Sequence, residues 1–530
     1  MLKGFNIIGD TEIAEGDDYL QAFSPTHLKN LPEKFIVATA QELENAVEKA
    51  TIAFNSYKNT SAKERALFLE TIAKEIDNIG DELIDRAKLE TGLTEQRLTS
   101  ERGRTTGQLK LFAELLREGS WVEAVIDEAL PDRKPLPRSD LRKMNIAIGP
   151  VAVFGASNFP FAFSTAGGDT ASALAAGNPV IVKAHPSHLG TNELMGTAIK
   201  KAAEISHMPD GVFSFIIGDG IKTGLQLVKH PGIKAVGFTG SYKAGMTIFK
   251  AATNERESPV PVFAEMSSVN PIVLLPSKLR KESDALATQL AGSISVGVGQ
   301  FCTNPGLLFL IEDENYKGFT LKLIETLAAI PEAPMLNQGI CSSYYMNRKV
   351  MAKQKGVAVL YMGEDESAVN EGSSALFQVN ADDFIQNQEL QNEVFGPASL
   401  IVKCKDERDL FQALKSLHGQ LTATIMGDAD DISKYAGSIE VLTGKAGRLI
   451  FNGVPTGVEV SHAMVHGGPF PATTDSHSTS VGSDAIKRFL RPFCFQDCPH
   501  DLLPDALKNE NPLGIMRKIN GHYTREGISV

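Results

Sequence analysis

The sequence predicts an α/β protein built on a doubly wound parallel sheet. Two observations carry this reading. Short apolar runs end in glycine-rich turns at "IAIGPVAVFGASNFPF", "GNPVIVKAHPSH", "GVFSFIIGDG" and "IKAVGFTGSYKAG", with helical patterns between them. The chain is also long enough for large cores: 530 residues, 42% apolar and 22% charged, supply about two or three domains.

The first third is helical. "NAVEKATIAFNSY" repeats apolar residues at Ala46, Val47, Ala50, Ala53, Phe54 and Tyr57, and "SAKERALFLETIAKEI" opens with Ser61 and Glu64 in capping-box spacing. A further helical stretch, roughly residues 94–117, leads to Trp121. "LPDRKPLPRSDL" cannot continue a helix, because proline lacks an amide hydrogen and its ring clashes with the preceding turn; a boundary or an excursion is expected there. The four strand-like runs follow. Sheets of this kind bind ligands beyond the carboxyl ends of their strands, which directs attention to Asn158, Lys183, Gly218 and the turn from Gly240 to Gly245. In "FTGSYKAGMTIF" a strand, a Gly-Ser turn and a helix start succeed one another, and the exposed amides of a helix N-terminus suit a pyrophosphate; the full G-x-G-x-x-G spacing is absent. A second strand-and-helix block begins near Pro271 and contains Cys302 and "NEVFGPASLIV".

"SVGVGQFCTNPG", residues 295–306, sets Cys302 among small and turn-forming residues. A free cysteine commonly behaves as a small buried hydrophobe. Here Gly297 and Gly299 suggest a confined space beside the sulfur, and Gln300 and Asn304 bring polar groups near it, as a nucleophilic thiol needs. Its base and oxyanion donors must then come from distant segments.

The balance of 52 basic and 64 acidic residues, without a long basic run, argues against nucleic acid or an anionic membrane as partner and for a small-molecule enzyme. No apolar run approaches the roughly 20 residues of a spanning helix, and no signal-peptide core is visible, so a cytoplasmic location is expected. Five scattered cysteines argue for reduced thiols. His462 and His466 have the spacing of a two-histidine metal site, but Ala463 stands where a zincin has glutamate, and Gly467 and Gly468 break the helix. Cys494, Cys498 and His500 lack a second pair of ligands. No metal is expected at either.

Asn158 in "GASNFPF", Lys183 in "VIVKAHPSH", "FTGS" at 238–241, Glu265 in "FAEMSSVNP", "GQFC" ending at Cys302 and "EVFGP" at 393–397 together resemble the aldehyde dehydrogenase superfamily over nearly the whole chain. Within it, "ERGRTTGQLKLFAELLREGSW", "KAHPSHLGTNE" and the tail "RPFCFQDCPHDLLPDALKNENPLGI" are similar to the 2,5-dioxopentanoate (α-ketoglutaric semialdehyde) dehydrogenases. The resemblance implies a Rossmann-type cofactor domain from 1–128 and 148–270, an α/β catalytic domain over 271–485, and a β oligomerisation arm and tail from 129–147 and 486–530. The arm would carry "LPRSDLRK" as a strand added to a neighbour's sheet, giving a homodimer or homotetramer.

The resemblance also implies roles. Cys302 is the nucleophile, the Asn158 amide and the Cys302 backbone N–H hold the alkoxide, and Glu265 deprotonates the water that hydrolyses the thioester. That last task calls for a partly desolvated carboxylate with a pKa nearer neutrality. Glu393 holds the nicotinamide ribose, with Phe395 against the ring. Lys183, His185, Ser187, Gly218, Gly240 and Ser241 serve the cofactor. Because "VKAHPSHLGTN" has no acid before Glu193, and His188 adds a further donor, NADP is expected in preference to NAD. Arg104 is placed at the aldehyde entrance, to meet a substrate carboxylate or else to pair with Glu101 on its own helix face, and Phe159 lines the apolar wall. The alternatives are a dehydrogenase of neutral fatty or aromatic aldehydes, an acylating relative, or a non-catalytic protein on the same scaffold. "EMSSVNP" and "GGPFPATTDSHSTSVG" depart from the commoner pattern of the superfamily near the active-site mouth.

Overall fold

The computed structural model describes residues 2–528; the first position of the 1–128 segment and the last two of the 486–530 segment lie outside the described residues. The four glycine-terminated runs become the strands Val151–Phe154, Val180–Lys183, Phe213–Ile216 and Ala235–Thr239. With Val262–Glu265 they form the parallel part of a seven-stranded sheet, in the order 262–265, 235–239, 151–154, 180–183, 213–216. Two short antiparallel strands near the N-terminus, Asn6–Ile8 and Thr11–Ile13, complete its edge. The strand order reverses beside Val151–Phe154, which opens a crevice at the carboxyl ends of that strand and Ala235–Thr239.

The helices start where side chains can satisfy their first amides. Ala40–Tyr57 and Ala62–Ile79 both carry capping boxes, from Thr39 with Glu42 and from Ser61 with Glu64. Glu95–Glu118 is capped by Thr94 and ends at Gly119 in the left-handed region. It packs on Ala62–Ile79, and its Arg97 extends over the ring of Phe301, next to Cys302.

That half is a second seven-stranded sheet, drawn from residues 272–451 and parallel except at the edge pair Ala358–Met362 and Ala375–Asn380. Helix Pro276–Ser295 runs from this sheet toward Cys302. A five-stranded sheet joins Val125–Asp127, Leu141–Ala147, Leu490–Gln496, Arg517–Ile519 and His522–Thr524. Here the structure corrects the sequence reading. "LPRSD" forms no strand of its own and is tied back by a bridge from Arg138 to Leu130, and residues 141–143 are paired on both sides within the chain, so that stretch has no free edge to offer a neighbour. The edge strands of this sheet are Leu490–Gln496 and His522–Thr524.

Candidate active site

Cys302 lies in the loop that follows the tight turn Val296–Gly299, half-buried at the floor of a cavity of about 710 Å3. The glycines before it do not leave room for a ligand, as the sequence suggested. A side-chain carbon on Gly297 would meet the Phe301 ring at 2.7 Å, and one on Gly299, whose φ is +64°, would lie 2.3 Å from the Gly396 backbone. They let the 393–397 loop pack directly onto the cysteine turn. The amides of Gln300 and Asn304 brace the turn rather than address the sulfur: Gln300 Oε1 accepts from the Leu336 amide, and Asn304 Nδ2 donates to the Gly396 carbonyl. Asn270 completes the brace. Its Nδ2 donates to the carbonyls of Cys302 and Asn304, both at 2.9 Å, and its own backbone sits at φ +44°.

Glu265 ends its strand 4% exposed, with Oε1 2.9 Å from His466 Nε2 and Oε2 accepting from Ser480 Oγ at 2.8 Å. The same Nε2 lies 3.5 Å from Cys302 Sγ. A thiol, an imidazole and a carboxylate thus meet at one point, from segments far apart in the chain. Burial and the neighbouring Glu265 charge push the Cys302 thiol well above its ordinary range. Burial alone would raise Glu265 too, but the His466 imidazole and the hydrogen bonds from His466, Ser480 and Cys302 hold it below its ordinary value. The expected shift toward neutrality is therefore corrected: Glu265 is a clamped carboxylate. His462, the other half of the two-histidine spacing, is exposed and takes no part.

Asn158 is buried beside the cysteine turn, where one of its amide hydrogens goes to the Gln300 carbonyl at 3.0 Å. Its own carbonyl accepts from Arg97 Nη2 at 3.0 Å. Arg97 lies over the rings of Phe159 and Phe301 and is the cation nearest Glu101, at 3.7 Å. Glu101 accepts from the Phe161 and Ala162 amides. Arg104, one turn further along the helix, is thereby left without the partner that the sequence offered it. Its Nε donates to the Val458 carbonyl at 3.1 Å, its plane sits 4.9 Å from the Phe163 ring centre, and both terminal nitrogens are buried without a hydrogen-bond partner. Arg104, Phe159, Gly103, Gly107 and Arg448 line the cavity with Cys302. Arg448 donates to the Pro455 and Gly457 carbonyls and so fixes the loop that holds Val458.

A second cavity, about 530 Å3, lies at the carboxyl ends of the first sheet. Lys183, His185, Gly240 and Ser241 line it, and Ser241 caps the helix Tyr242–Asn254, whose first amides face the same region. No carboxylate is among its lining residues. Burial brings Lys183 down to about 8 and keeps His185 neutral. Gly218 and Ser187 are not among the residues that line this cavity. A side chain on Gly218 would strike Thr223 at 2.5 Å, so the glycine serves packing, and Gly220, at φ +89°, lines the cavity instead. Ser187 is not itself a lining residue but accepts from Nδ2 of Asn337, which is, while His188 is fully buried with Nε2 on the Ala156 carbonyl. Glu393 and Phe395 are half-buried in the loop against the cysteine turn, and burial raises the Glu393 carboxyl to about 7.

His466, Ser480, Asn270, Arg97 and Arg448 were not reached from the sequence as site residues. His466 is marked in the sequence only by its spacing from His462, and Asn270 and Ser480 only by lying in "EMSSVNP" and "GGPFPATTDSHSTSVG", the stretches that depart from the usual pattern.

A half-buried thiol with an imidazole and a carboxylate beside it thus stands in one cavity wall, and a second cleft lies at the carboxyl ends of the first sheet. The chain belongs to the aldehyde dehydrogenase family, which it matches over residues 14–489. It is an oxidoreductase of a family that works with a nicotinamide dinucleotide. It is 50% identical over 521 residues to α-ketoglutaric semialdehyde dehydrogenase 2 of Azospirillum brasilense, covering 98% of this chain and 99% of that one. It is 47% identical over 525 residues to α-ketoglutaric semialdehyde dehydrogenase of Acinetobacter baylyi, covering 99% of each. Among solved structures, 1-pyrroline-5-carboxylate dehydrogenase from Thermus with bound NAD shares the fold at a TM-score of 0.76 and 20% identity, over 93% of this chain and 92% of that one. Among the described residues no helix is long and apolar enough to cross a membrane.

Proposed function

We propose that this enzyme oxidises 2,5-dioxopentanoate, an acid-bearing aldehyde, to 2-oxoglutarate, with NADP preferred to NAD. One observation carries the substrate reading: a buried guanidinium with two unpartnered nitrogens lines the cavity that ends at Cys302. An arginine fork matches a carboxylate with two parallel hydrogen bonds. The two relatives near 50% identity, named for the semialdehyde of α-ketoglutarate, support the same compound.

In this reading Cys302 Sγ adds to the aldehyde carbon while its proton passes to the His466–Glu265 pair, 3.5 Å away at Nε2. The free amide hydrogen of Asn158 and the Cys302 backbone N–H take up the negative charge on the former aldehyde oxygen. A nicotinamide cofactor held in the cleft lined by Lys183, His185 and Ser241 would supply the hydride acceptor, and loss of hydride from the tetrahedral carbon leaves a thioester on Cys302. The pair passes its first proton to solvent; water then attacks the thioester carbon as the Glu265–His466 pair takes the water proton, and that proton returns to Cys302 Sγ as the carbon–sulfur bond breaks and the acid leaves. Ser480 keeps Glu265 oriented throughout.

The NADP preference rests on the cleft. A carboxylate at this strand end would bind the adenosine ribose hydroxyls and repel a 2′-phosphate. Asp219, the acid whose charge reaches Lys183, is occupied by the Thr223 amide. Assembly into a homodimer or homotetramer belongs to the same reading, supported by the open edge of Leu490–Gln496 and its exposed Phe493.

A panel of aldehydes run with both cofactors tests the proposal. The highest kcat/KM is expected for 2,5-dioxopentanoate with NADP. A preference for long-chain neutral aldehydes would overturn the substrate, and a strong preference for NAD the cofactor.

A further inference from the structure

Cys302 Sγ, His466 Nε2 and a Glu265 carboxylate oxygen all lie within 4.8 Å of one another, the one such group of ligand atoms among the described residues. Tetrahedral zinc, with bonds of about 2.3 Å to sulfur and about 2.0 Å to nitrogen, separates those two ligands by about 3.5 Å. The observed separation is 3.5 Å. The nitrogen–oxygen pair, at 2.9 Å, needs to open only by a few tenths of an ångström to reach the roughly 3.3 Å of a tetrahedral edge. Each ligand has a firm seat: Glu265 on a strand end with Ser480 on its second oxygen, His466 with its amide on Thr479 Oγ1, and Cys302 in the turn braced by Asn270. Cys302 lines the open cavity, which gives an ion its way in to the cluster.

We propose that this cluster is an inhibitory site for a zinc-class divalent cation, reached from the substrate cavity. The sulfur and imidazole select a borderline-soft ion over magnesium or calcium. On binding, the Cys302 thiol gives up its proton to solvent as the sulfur–metal bond forms, so thiolate and carboxylate together balance the two charges of the ion. The sulfur lone pair is then unavailable to an aldehyde. Two features make the occupancy reversible rather than resident. His466 Nδ1 is buried without the acceptor that usually fixes a metal-bound imidazole, and Arg97, Arg104 and Arg448 line the cavity as opposing charges.

Zinc chloride alone, added to the purified full-length chain without reductant or chelator, tests this. We expect one ion per chain by equilibrium dialysis and metal analysis, loss of dehydrogenase activity that EDTA restores, and protection of Cys302 from iodoacetamide. Cobalt in its place should give a thiolate charge-transfer band in the near ultraviolet. His466→Gln and Glu265→Gln should each weaken binding at least about 100-fold, since loss of a mere outer partner of a ligand already costs ~10–100-fold. The Cys494→Ser/Cys498→Ser double variant, which removes the thiols of the C-terminal segment, should bind as the parent does. Thermal unfolding without metal identifies any variant that fails to fold, and the other then carries the test. Undiminished binding in a folded His466→Gln or Glu265→Gln chain overturns the proposal, as does loss of the ion in the tail variant or stoichiometric binding without inhibition. None of these readouts depends on which aldehyde is the substrate.

Discussion

Replacing Arg104 with alanine isolates the recognition of the substrate acid from the chemistry. The guanidinium has one hydrogen bond to the protein, from Nε to the Val458 carbonyl, and two buried nitrogens without partners. A hydrogen bond to a charged group contributes about 1.5–3 kcal/mol, so kcat/KM for 2,5-dioxopentanoate should fall roughly 10- to 150-fold in Arg104→Ala. Stability should change little. The variant loses one hydrogen bond of about 1 kcal/mol but also removes a desolvated cation that Glu101 and Glu265 offset without forming an ion pair with it. Arg104→Lys restores a point charge without the fork and should recover only part of the loss. The assay is initial-rate formation of reduced cofactor, with pentanal as a neutral control of the same carbon count, beside thermal unfolding of each variant. Equal losses on both aldehydes, or an unaffected dioxo acid, would refute the reasoning and leave Arg104 as a strut for the Val458 loop.

Cys302→Ala should abolish oxidation, whereas Glu265→Gln should release about one reduced cofactor per active site and then stall as an acyl-enzyme visible by mass spectrometry; normal turnover would remove Glu265 from deacylation. Lys183 has its pKa lowered to about 8 by burial, so its charge is present below that pH and lost above it. The Michaelis constant for NADP should therefore rise as pH passes about 8, and Lys183→Met should flatten the profile; an unchanged slope would place the phosphate elsewhere. Gly299→Ala adds a carbon 2.3 Å from the Gly396 backbone at a positive φ, which should destabilise the fold by about 1–3 kcal/mol and weaken cofactor binding through the displaced 393–397 loop. A thermal midpoint equal to that of the parent would show that the loop yields freely.

The strands of the first sheet were legible because parallel strands buried on both faces read as unbroken apolar runs, and their ligand-bearing ends read as glycine turns. Helix Glu95–Glu118 was legible by its period, and Ser61 with Glu64 by their spacing. Cys302 declared itself by its surroundings. His466 did not, because its partner sulfur is 164 positions away and the neighbouring His462 suggested a local pairing that the chain does not make. Asn270 was silent for a similar reason: a polar residue in a loop gives no sign of which distant carbonyls it will hold. Gly299 was read for ligand space when it serves backbone contact, a distinction that only the position of Gly396 can make. The pairing of Arg104 with Glu101 followed the rule for one helix face, and tertiary contacts overrode it by giving Glu101 to two loop amides and Arg97.

Gly103 and Gly107 sit inside helix Glu95–Glu118, on the wall of the substrate cavity, and a side-chain carbon at either would meet nothing within 4 Å. Glycine in a helix interior costs about 0.8–1.0 kcal/mol relative to alanine, so this helix is weaker than its length requires. The breadth of the site is maintained by atoms that were left out. Alanine at either position would strengthen the helix and narrow the wall in the same step. Thermostabilised forms of this enzyme, whether selected or designed, should for that reason become choosier about the width of the aldehydes they admit.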